Sequence, residues 1–325
     1  MTKFYLGVDG GGSKTAFILT DETGAVLASA LTGGSSLPHI GDEKFIQVLS
    51  DGVARCVSEA GVKVEDVARF AFGSPCFGES IDYDRRILKA IGVITRGGKA
   101  CVVNDVVVAH AGSLALGYGI HIVAGTGAII YGTNEQGESA RANGWSEQFS
   151  DEGSGYWLGL RTLSAFTKQS DHRYKRGPLY GLIRERLGLT EDIQIVDVFE
   201  RDYAGRRDRI AKLQEILHEA AVCGDESAIG LYNDAAYELY LSARGAYDAL
   251  GFNKNDGARC SYSGGLFRAG ALILKPLTDN LLKINASLTE PALGPACGAA
   301  LLAVKQDGVK DLSAFTENLK KWRAV

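Results

Sequence analysis

The chain opens on an apolar run, Phe4-Tyr5-Leu6-Gly7-Val8, that ends in Asp9 and the glycine turn Gly10-Gly11-Gly12 and resumes as Thr15 to Thr20. Short apolar runs bounded by glycines read as strand, turn and strand, not as a strand entering a helix. Asp21-Glu22-Thr23-Gly24 turns the chain again into Ala25 to Ala30, so three antiparallel strands are expected in succession. A helical pattern follows from Lys44 to Ala60, closed by Gly61. Val67 to Gly73 and Ala100 to Asp105 read as further strands, with a helix near Asp82 to Ile91 between them and another over Val106 to Leu116. Strand, helix, strand implies parallel pairing and a mixed sheet.

The opening pattern returns about 116 residues later: a strand from Gly119 to Ala124, a turn at Gly125-Thr126-Gly127, a strand from Ala128 to Gly132, and a third near Ser139 to Ala142. Repetition of a whole folding unit predicts two related βββαβα lobes. The middle, from Trp157 to about Leu250, carries helical stripes such as Leu158, Leu160, Leu163, Phe166 and Leu239, Leu241, Ala246, Leu250. Cys260 to Ser263 reads as a short strand ending in Gly264-Gly265, Leu266 to Leu274 as the start of a helix, and Pro291 to Leu302 as the approach to another. The expected organisation is α/β: a first lobe over 1–116, and a second over 117–304 with a helical insertion at about 157–250. An amphipathic helix within about 305–325 is expected to pack back on the first lobe.

Composition narrows the partners. At 325 residues the chain fits two domains, and 46% hydrophobic with 23% charged residues is ordinary for an ordered protein. A net charge of −4 supplies no broad basic surface, so nucleic acid is not expected as a partner; the clusters Arg173 to Arg176 and Arg206 to Arg209 read as solvated faces. No apolar run approaches the ~20 residues that span a bilayer, and the N-terminus enters a strand directly, so no membrane partner and a cytoplasmic location are expected. The six cysteines are scattered without metal-ligand spacing and read as free thiols. Glycine, at 41 residues, exceeds the usual share of about 7% and predicts close backbone approaches.

Five constellations carry candidate chemistry. The turn Gly10, Gly11, Gly12, Ser13, Lys14, Thr15 can present backbone N–H groups and a hydroxyl to phosphate oxygens, and Asp9 at the strand end can hold a metal ion through water; a generic glycine hairpin is the plainer alternative. Gly125, Thr126 and Gly127 form the equivalent turn of the second repeat, and two such turns together could clamp one polyphosphate. Neither fits a P-loop or a dinucleotide fingerprint. Asn104-Asp105 closes an apolar strand, where a carboxylate can take the proton of an attacking hydroxyl or, equally, cap the next helix. Asn143-Gly144-Trp145 followed by Asp151-Glu152-Gly153-Ser154-Gly155-Tyr156-Trp157 mixes amide, carboxylate and aromatic groups that suit a sugar; the alternative is a polar loop entering an N-capped helix with buried tryptophans. Ser263-Gly264-Gly265 has the small residues that admit an adenine and ribose.

With these in place the chain resembles the N-acetylglucosamine kinase branch of the BadF/BadG/BcrA/BcrD ATPase family, in the superfamily of actin, hexokinase and heat-shock chaperone ATPases. The resemblance rests on D-G-G-G-S-K-T at Asp9 to Thr15, G-T-G at Gly125 to Gly127, and D-E-G-S-G-Y-W at Asp151 to Trp157. It implies two actin-like (ribonuclease H-like) lobes, each with a mixed five-stranded sheet and flanking helices, closing on Mg-ATP. In that reading Gly10 to Thr15 and Gly125 to Gly127 hold the phosphates, Gly264 and Gly265 the adenosine, Asp9 the Mg²⁺, and Asp105 is the base. Ser36, Ser74, Asn104, Asn143, Gly144, Trp145 and Asp151 line the sugar pocket. A homodimer is the family's assembly.

The chain departs from the kinase branch where that branch has G-G-W-G and G-D-E-G-S: here the residues are Asn143-Gly144-Trp145-Ser146 and Ser150-Asp151. Where relatives carry an asparagine near the sugar, this loop reads Gly34-Ser35-Ser36-Leu37-Pro38. The acceptor expected is therefore an amino sugar, N-acetylglucosamine first, with glucosamine, N-acetylmuramic acid and other hexoses as alternatives. The rival from another class is an activator ATPase of a reductase or dehydratase. That role needs a cysteine pair for an iron–sulfur cluster near the start of the second lobe, and no cysteine lies between Cys101 and Cys223.

Overall fold

The computed structural model describes residues 2–322 except 254 and 256. The chain forms two compact units, 1–118 with 290–325, and 119–289.

In the first unit β1 (Phe4–Gly10), β2 (Lys14–Asp21) and β3 (Val26–Gly33) form the expected antiparallel meander. The chain then runs through α1 (Leu37–Glu59), broken at Gly41 (φ 75°), to β4 (Val67–Ser74), parallel to β1. It continues through α2 (Ile81–Ile94) to β5 (Ala100–Asn104), parallel to β4, and enters α3 (Asp105–Ser113). The sheet order is β3-β2-β1-β4-β5. Helix α1 starts earlier than the apolar pattern showed, because Pro38 opens a first turn that Gly41 interrupts. It ends in a Schellman closure, with Gly61 N–H bonding Ser58 O at 3.2 Å and Val62 N–H bonding Val57 O at 2.9 Å.

The second unit repeats that sheet. Strands β6 (Gly119–Ala124), β7 (Ala128–Thr133) and β8 (Ser139–Ala142) are antiparallel, and β9 (Ala258–Ser263) and β10 (Ala286–Leu288) join in parallel, giving β8-β7-β6-β9-β10. Between β8 and β9 lie α4 (Gly155–Ser170), α5 (Pro178–Leu187), α6 (Ile195–Asp202), α7 (Arg207–Val222) and α8 (Glu226–Ala249). The helix expected over Leu266 to Leu274 is split: a 3₁₀ turn over Gly265–Ala269 stops at Gly270 (φ 59°), and α9 (Ala271–Leu281) starts afresh. Of the helical stripes, Leu160 and Leu241 are exposed while Leu158, Phe166 and Leu239 are fully buried.

The chain rejoins the first unit at Glu290, earlier than the expected 305, through α10 (Pro295–Gln306) and α11 (Ser313–Lys321). The reason is the small-residue face of α10. A side chain on Gly7 of β1 would lie 2.6 Å from Ala296 O, and one on Gly298 would strike the backbone of α3 at Val108 and Gly112. Helix α10 is thus packed backbone to backbone against β1 and α3, and it fixes the helix that begins at Asp105. Residues 323–325 of the expected C-terminal segment lie outside the described residues.

Strand alternation divides the first unit into two cores: Leu6, Val8, Phe17, Leu19, Phe70 and Phe72 face α1 and α2, while Tyr5, Ile18 and Ala71 face α10 and α11. Such burial stabilises by roughly 25 cal/mol per Å² of apolar surface. All six cysteines are free.

Candidate functional site

In the first unit, register places Asp9 opposite Gly73 and Ser74 opposite Asn104, so the C-terminal ends of β1, β4 and β5 bring Asp9, Ser74 and Asp105 to one edge of the sheet. That edge is where open α/β sheets take ligands. The carboxyl of Asp9 is pushed up to about 7, first by burial and then by the negative charge of Asp105, with Lys14 pulling the other way. Two carboxylates that repel in this way suit a divalent cation. A hydrated cation such as Mg²⁺, which keeps most of its water, would suit this edge.

The capping alternative for Asp105 falls to its neighbour. Asn104 is the N-cap of α3, its Oδ1 accepting from Val106 N–H at 3.2 Å, and its Nδ2 donates to Phe77 O at 3.0 Å. The fold therefore engages both ends of the Asn104 amide, while Asp105 is the first helical residue. Ser74 is 4% exposed and its Oγ has no hydrogen-bond partner, an orphan that a ligand hydroxyl would satisfy. Ser36 is buried as well, with Oγ 2.7 Å from His39 Nδ1 and in contact with the Cys76 thiol, a half-buried residue held at φ 65°.

The first glycine turn is pinned from behind. Ser35 N–H donates to Gly11 O at 2.9 Å, and Thr15 Oγ1 donates to Gly33 O at 2.8 Å and lies 2.9 Å from Ser35 Oγ. Thr15 is fully buried, so its hydroxyl braces the turn; Gly12, Ser13 and Lys14 are exposed. A side chain on Gly10 would come within 2.6 Å of Ser35 Oγ.

In the second unit the Gly125–Gly127 turn backs onto the start of α4. Gly155 N–H donates to Gly125 O at 2.8 Å and Tyr156 N–H to Thr126 O at 3.1 Å, while Ser154 caps the helix by accepting from Trp157 N–H at 3.1 Å. Thr126 stays exposed. Gly264 (φ 112°) meets the carbonyl of Ala124 so closely that no side chain fits, and the ideal Cβ direction of Gly125 points 4.0 Å from Gly265 N. The glycine turn and the Gly264-Gly265 step are therefore neighbours within one unit. Below them, buried His121 holds Ser263 Oγ at 2.9 Å.

Asn143 organises the loop that follows β8. Its Oδ1 accepts from Gly144 N–H (2.7 Å), Ser150 Oγ (2.7 Å) and Asp151 N–H (2.8 Å), and its Nδ2 donates to Glu152 O (3.0 Å). Asn143 (φ 62°) and Asp151 (φ 61°) both adopt left-handed backbone, a strain that clusters at functional loops. With its amide committed inside the loop, Asn143 is a scaffold residue. The loop does enter an N-capped helix, but its two tryptophans differ: Trp145 is 76% exposed beside Arg141, whereas Trp157 is half-buried against the second unit's core.

Asp151 is buried, accepts a hydrogen bond from Ala128 N–H, and forms an ion pair with Arg207. Burial raises its carboxyl above the ordinary range while Arg207 opposes the rise. Arg207 is a residue that the sequence does not single out, because the Arg206 to Arg209 cluster looks like a solvated helix start; its partner Asp151 lies far along the chain in another loop. Cys76 was missed too, since nothing in its spacing links it to Ser36.

Two five-stranded mixed sheets with this order and flanking helices define an actin-like ATPase fold in both units. The profile of the BadF/BadG/BcrA/BcrD ATPase family matches residues 6–303, and the chain belongs to that family. It is 31% identical over 249 residues to an N-acetylmuramic acid/N-acetylglucosamine kinase of Clostridium acetobutylicum, covering 76% of this chain and 80% of that protein. It is 27% identical over 312 residues to an N-acetyl-D-glucosamine kinase of Dictyostelium discoideum, covering 93% and 98%. A crystal structure from Chromobacterium violaceum, provisionally described as an N-acetylglucosamine kinase, superimposes with a TM-score of 0.72 at 23% identity, covering 93% of this chain and 99% of that one.

Proposed function

We propose that this protein is an ATP-dependent sugar kinase that moves the γ-phosphoryl group of ATP to a hydroxyl, the 6-hydroxyl, of an amino sugar, with N-acetylglucosamine as the first acceptor. N-acetylmuramic acid, glucosamine and other hexoses are the alternatives within the same reading. The observation that carries it is the edge of the first sheet, where Asp105 stands beside Asp9 and the exposed glycine turn while Asn104 takes over the capping of α3. The overall similarity to the two kinases supports the same reading.

Both units carry groups suited to this chemistry. Gly11, Gly12 and Ser13 offer donors to phosphate oxygens, Gly125 to Gly127 offer a second set, and Gly264-Gly265 leave room for adenosine. Asp9, through water, would hold Mg²⁺, which screens the phosphate charge during transfer. Asp105 accepts the proton of the attacking hydroxyl, which positioned general bases accelerate by roughly 10²–10⁴-fold. Ser74 and Ser36 of the first unit, and Gly144, Trp145 and Asp151 of the second, are the groups suited to sugar hydroxyls. Thr15, Asn104 and Asn143 act behind these groups as braces. Among the described residues no helix is long and apolar enough to cross a membrane. A cytoplasmic location and a homodimer complete the reading, the latter measurable by light scattering.

The test is ADP release with Mg-ATP against N-acetylglucosamine, N-acetylmuramic acid, glucosamine, N-acetylmannosamine, glucose and water. Strong stimulation by one sugar supports the reading and names the acceptor. Hydrolysis that ignores every sugar contradicts it.

A further inference from the structure

A titratable pair ties the sugar loop to the second glycine turn. Arg207, the first residue of α7, pairs with Asp151 Oδ2, and both lie against Gly127: a side chain there would strike the guanidinium and come 2.6 Å from Asp151 Oδ2. The loop is stitched to the same turn on its far side through Gly155 and Tyr156. Arg207 is not saturated by these contacts. Its Nε is shut off from solvent, has no hydrogen-bond partner, and lies 3.9 Å from Glu147 Oε2, too far for a hydrogen bond. A buried charged donor left in this state lacks an acceptor that a bound hydroxyl would provide.

We propose that Arg207 is the positioning residue of the acceptor site: it aims Asp151 at the sugar hydroxyls and fixes the sugar loop against the phosphate turn. This rests on the sugar kinase reading above. Three groups govern the charge on Asp151: Arg207 from α7, Glu147 from the same loop, and the Ala128 N–H from β7. Burial pushes the carboxyl towards its neutral form, which accepts sugar hydroxyls poorly, and Arg207 opposes this. Removing the guanidinium moves the protonation of Asp151 to higher pH, so acceptor binding fails at higher pH than in the parent enzyme.

The experiment compares the parent enzyme with Arg207→Gln, Arg207→Lys, Asp151→Asn and the double variant Arg207→Gln/Asp151→Asn. Each is measured for KM of sugar, KM of ATP and the pH dependence of kcat/KM for sugar, with melting temperature as the folding control. For Arg207→Gln the proposal expects a rise of roughly ten- to a hundred-fold in the sugar KM, little change in the ATP KM, and an acid limb moved up by about one pH unit. Arg207→Lys, which keeps the charge and loses the fork, should recover part of the acid limb even if Arg207→Gln folds poorly. The double variant should be no worse than the weaker single one, because the two residues act as one unit. An unmoved acid limb in both Arg207 variants, a change confined to the ATP KM, or additive losses would overturn the proposal. A parent enzyme whose ADP release no sugar changes overturns the kinase reading itself, an outcome seen before any variant is made.

Discussion

In the first sheet the glycine turn joins β1 to β2; in the second the corresponding turn joins β6 to β7. The first carries its charges in its own sequence, Asp9 before it and Lys14 after it, and is braced by the hydroxyls of Thr15 and Ser35. The second has no ionisable residue of its own and borrows Asp151 and Arg207, while the start of α4 braces it from behind. One strand pattern thus has two surroundings: a turn beside the Asp9 and Asp105 carboxylates, and a turn tied to Asp151, Arg207 and the start of α4.

The largest effect should come from the carboxylate edge. Asp105→Asn is expected to lower kcat by roughly 10²–10⁴-fold with the ATP KM and melting temperature nearly unchanged, in steady-state kinetics with calorimetry. Equal losses in stability and rate would instead make Asp105 a structural residue.

Asp9→Asn separates function from stability. Because the folded carboxyl titrates at about 7, above its ordinary value of 3.8, the fold keeps a proton that the unfolded chain releases. That destabilisation grows as pH rises from about 4 to 7, is full above 7, and is relieved as pH falls through 7. The metal-free variant should therefore melt on the order of a few degrees higher than the parent at pH 8, and differ little near pH 4, while losing Mg-ATP-dependent activity. A lower melting temperature at pH 8 would refute the cost of holding a buried, charged Asp9 carboxylate beside Asp105.

The two turns should then differ under the same substitution. Gly127→Ala forces the Arg207 and Asp151 side chains to move and should raise the sugar KM roughly tenfold, whereas a side chain on Gly12 meets nothing within 4 Å, so Gly12→Ala should leave the melting temperature unchanged. The smallest loss expected is that of Asn104→Ala, a helix cap of about 1 kcal/mol read in chemical denaturation.

The same contrast explains what was legible in the sequence. The meanders, both turns and the Asp9 and Asp105 strand ends rest on short-range alternation and glycine spacing, which the backbone obeys locally. The Arg207 to Asp151 pairing, the bracing roles of Thr15, Asn104 and Asn143, and the return of α10 at Glu290 depend on which surfaces meet in three dimensions. A donor in a sequence does not reveal its acceptor, so residues grouped as ligand contacts by proximity in a motif include several whose hydrogen bonds the fold itself takes. The three-residue β10 left no pattern of its own.

The most direct test of the account is ³¹P NMR of the products formed from Mg-ATP and N-acetylglucosamine. The account predicts a phosphomonoester signal coupled to the C6 protons, formed in step with ADP and absent with Asp105→Asn. ADP and inorganic phosphate appearing at equal rates, with or without the sugar, would contradict it.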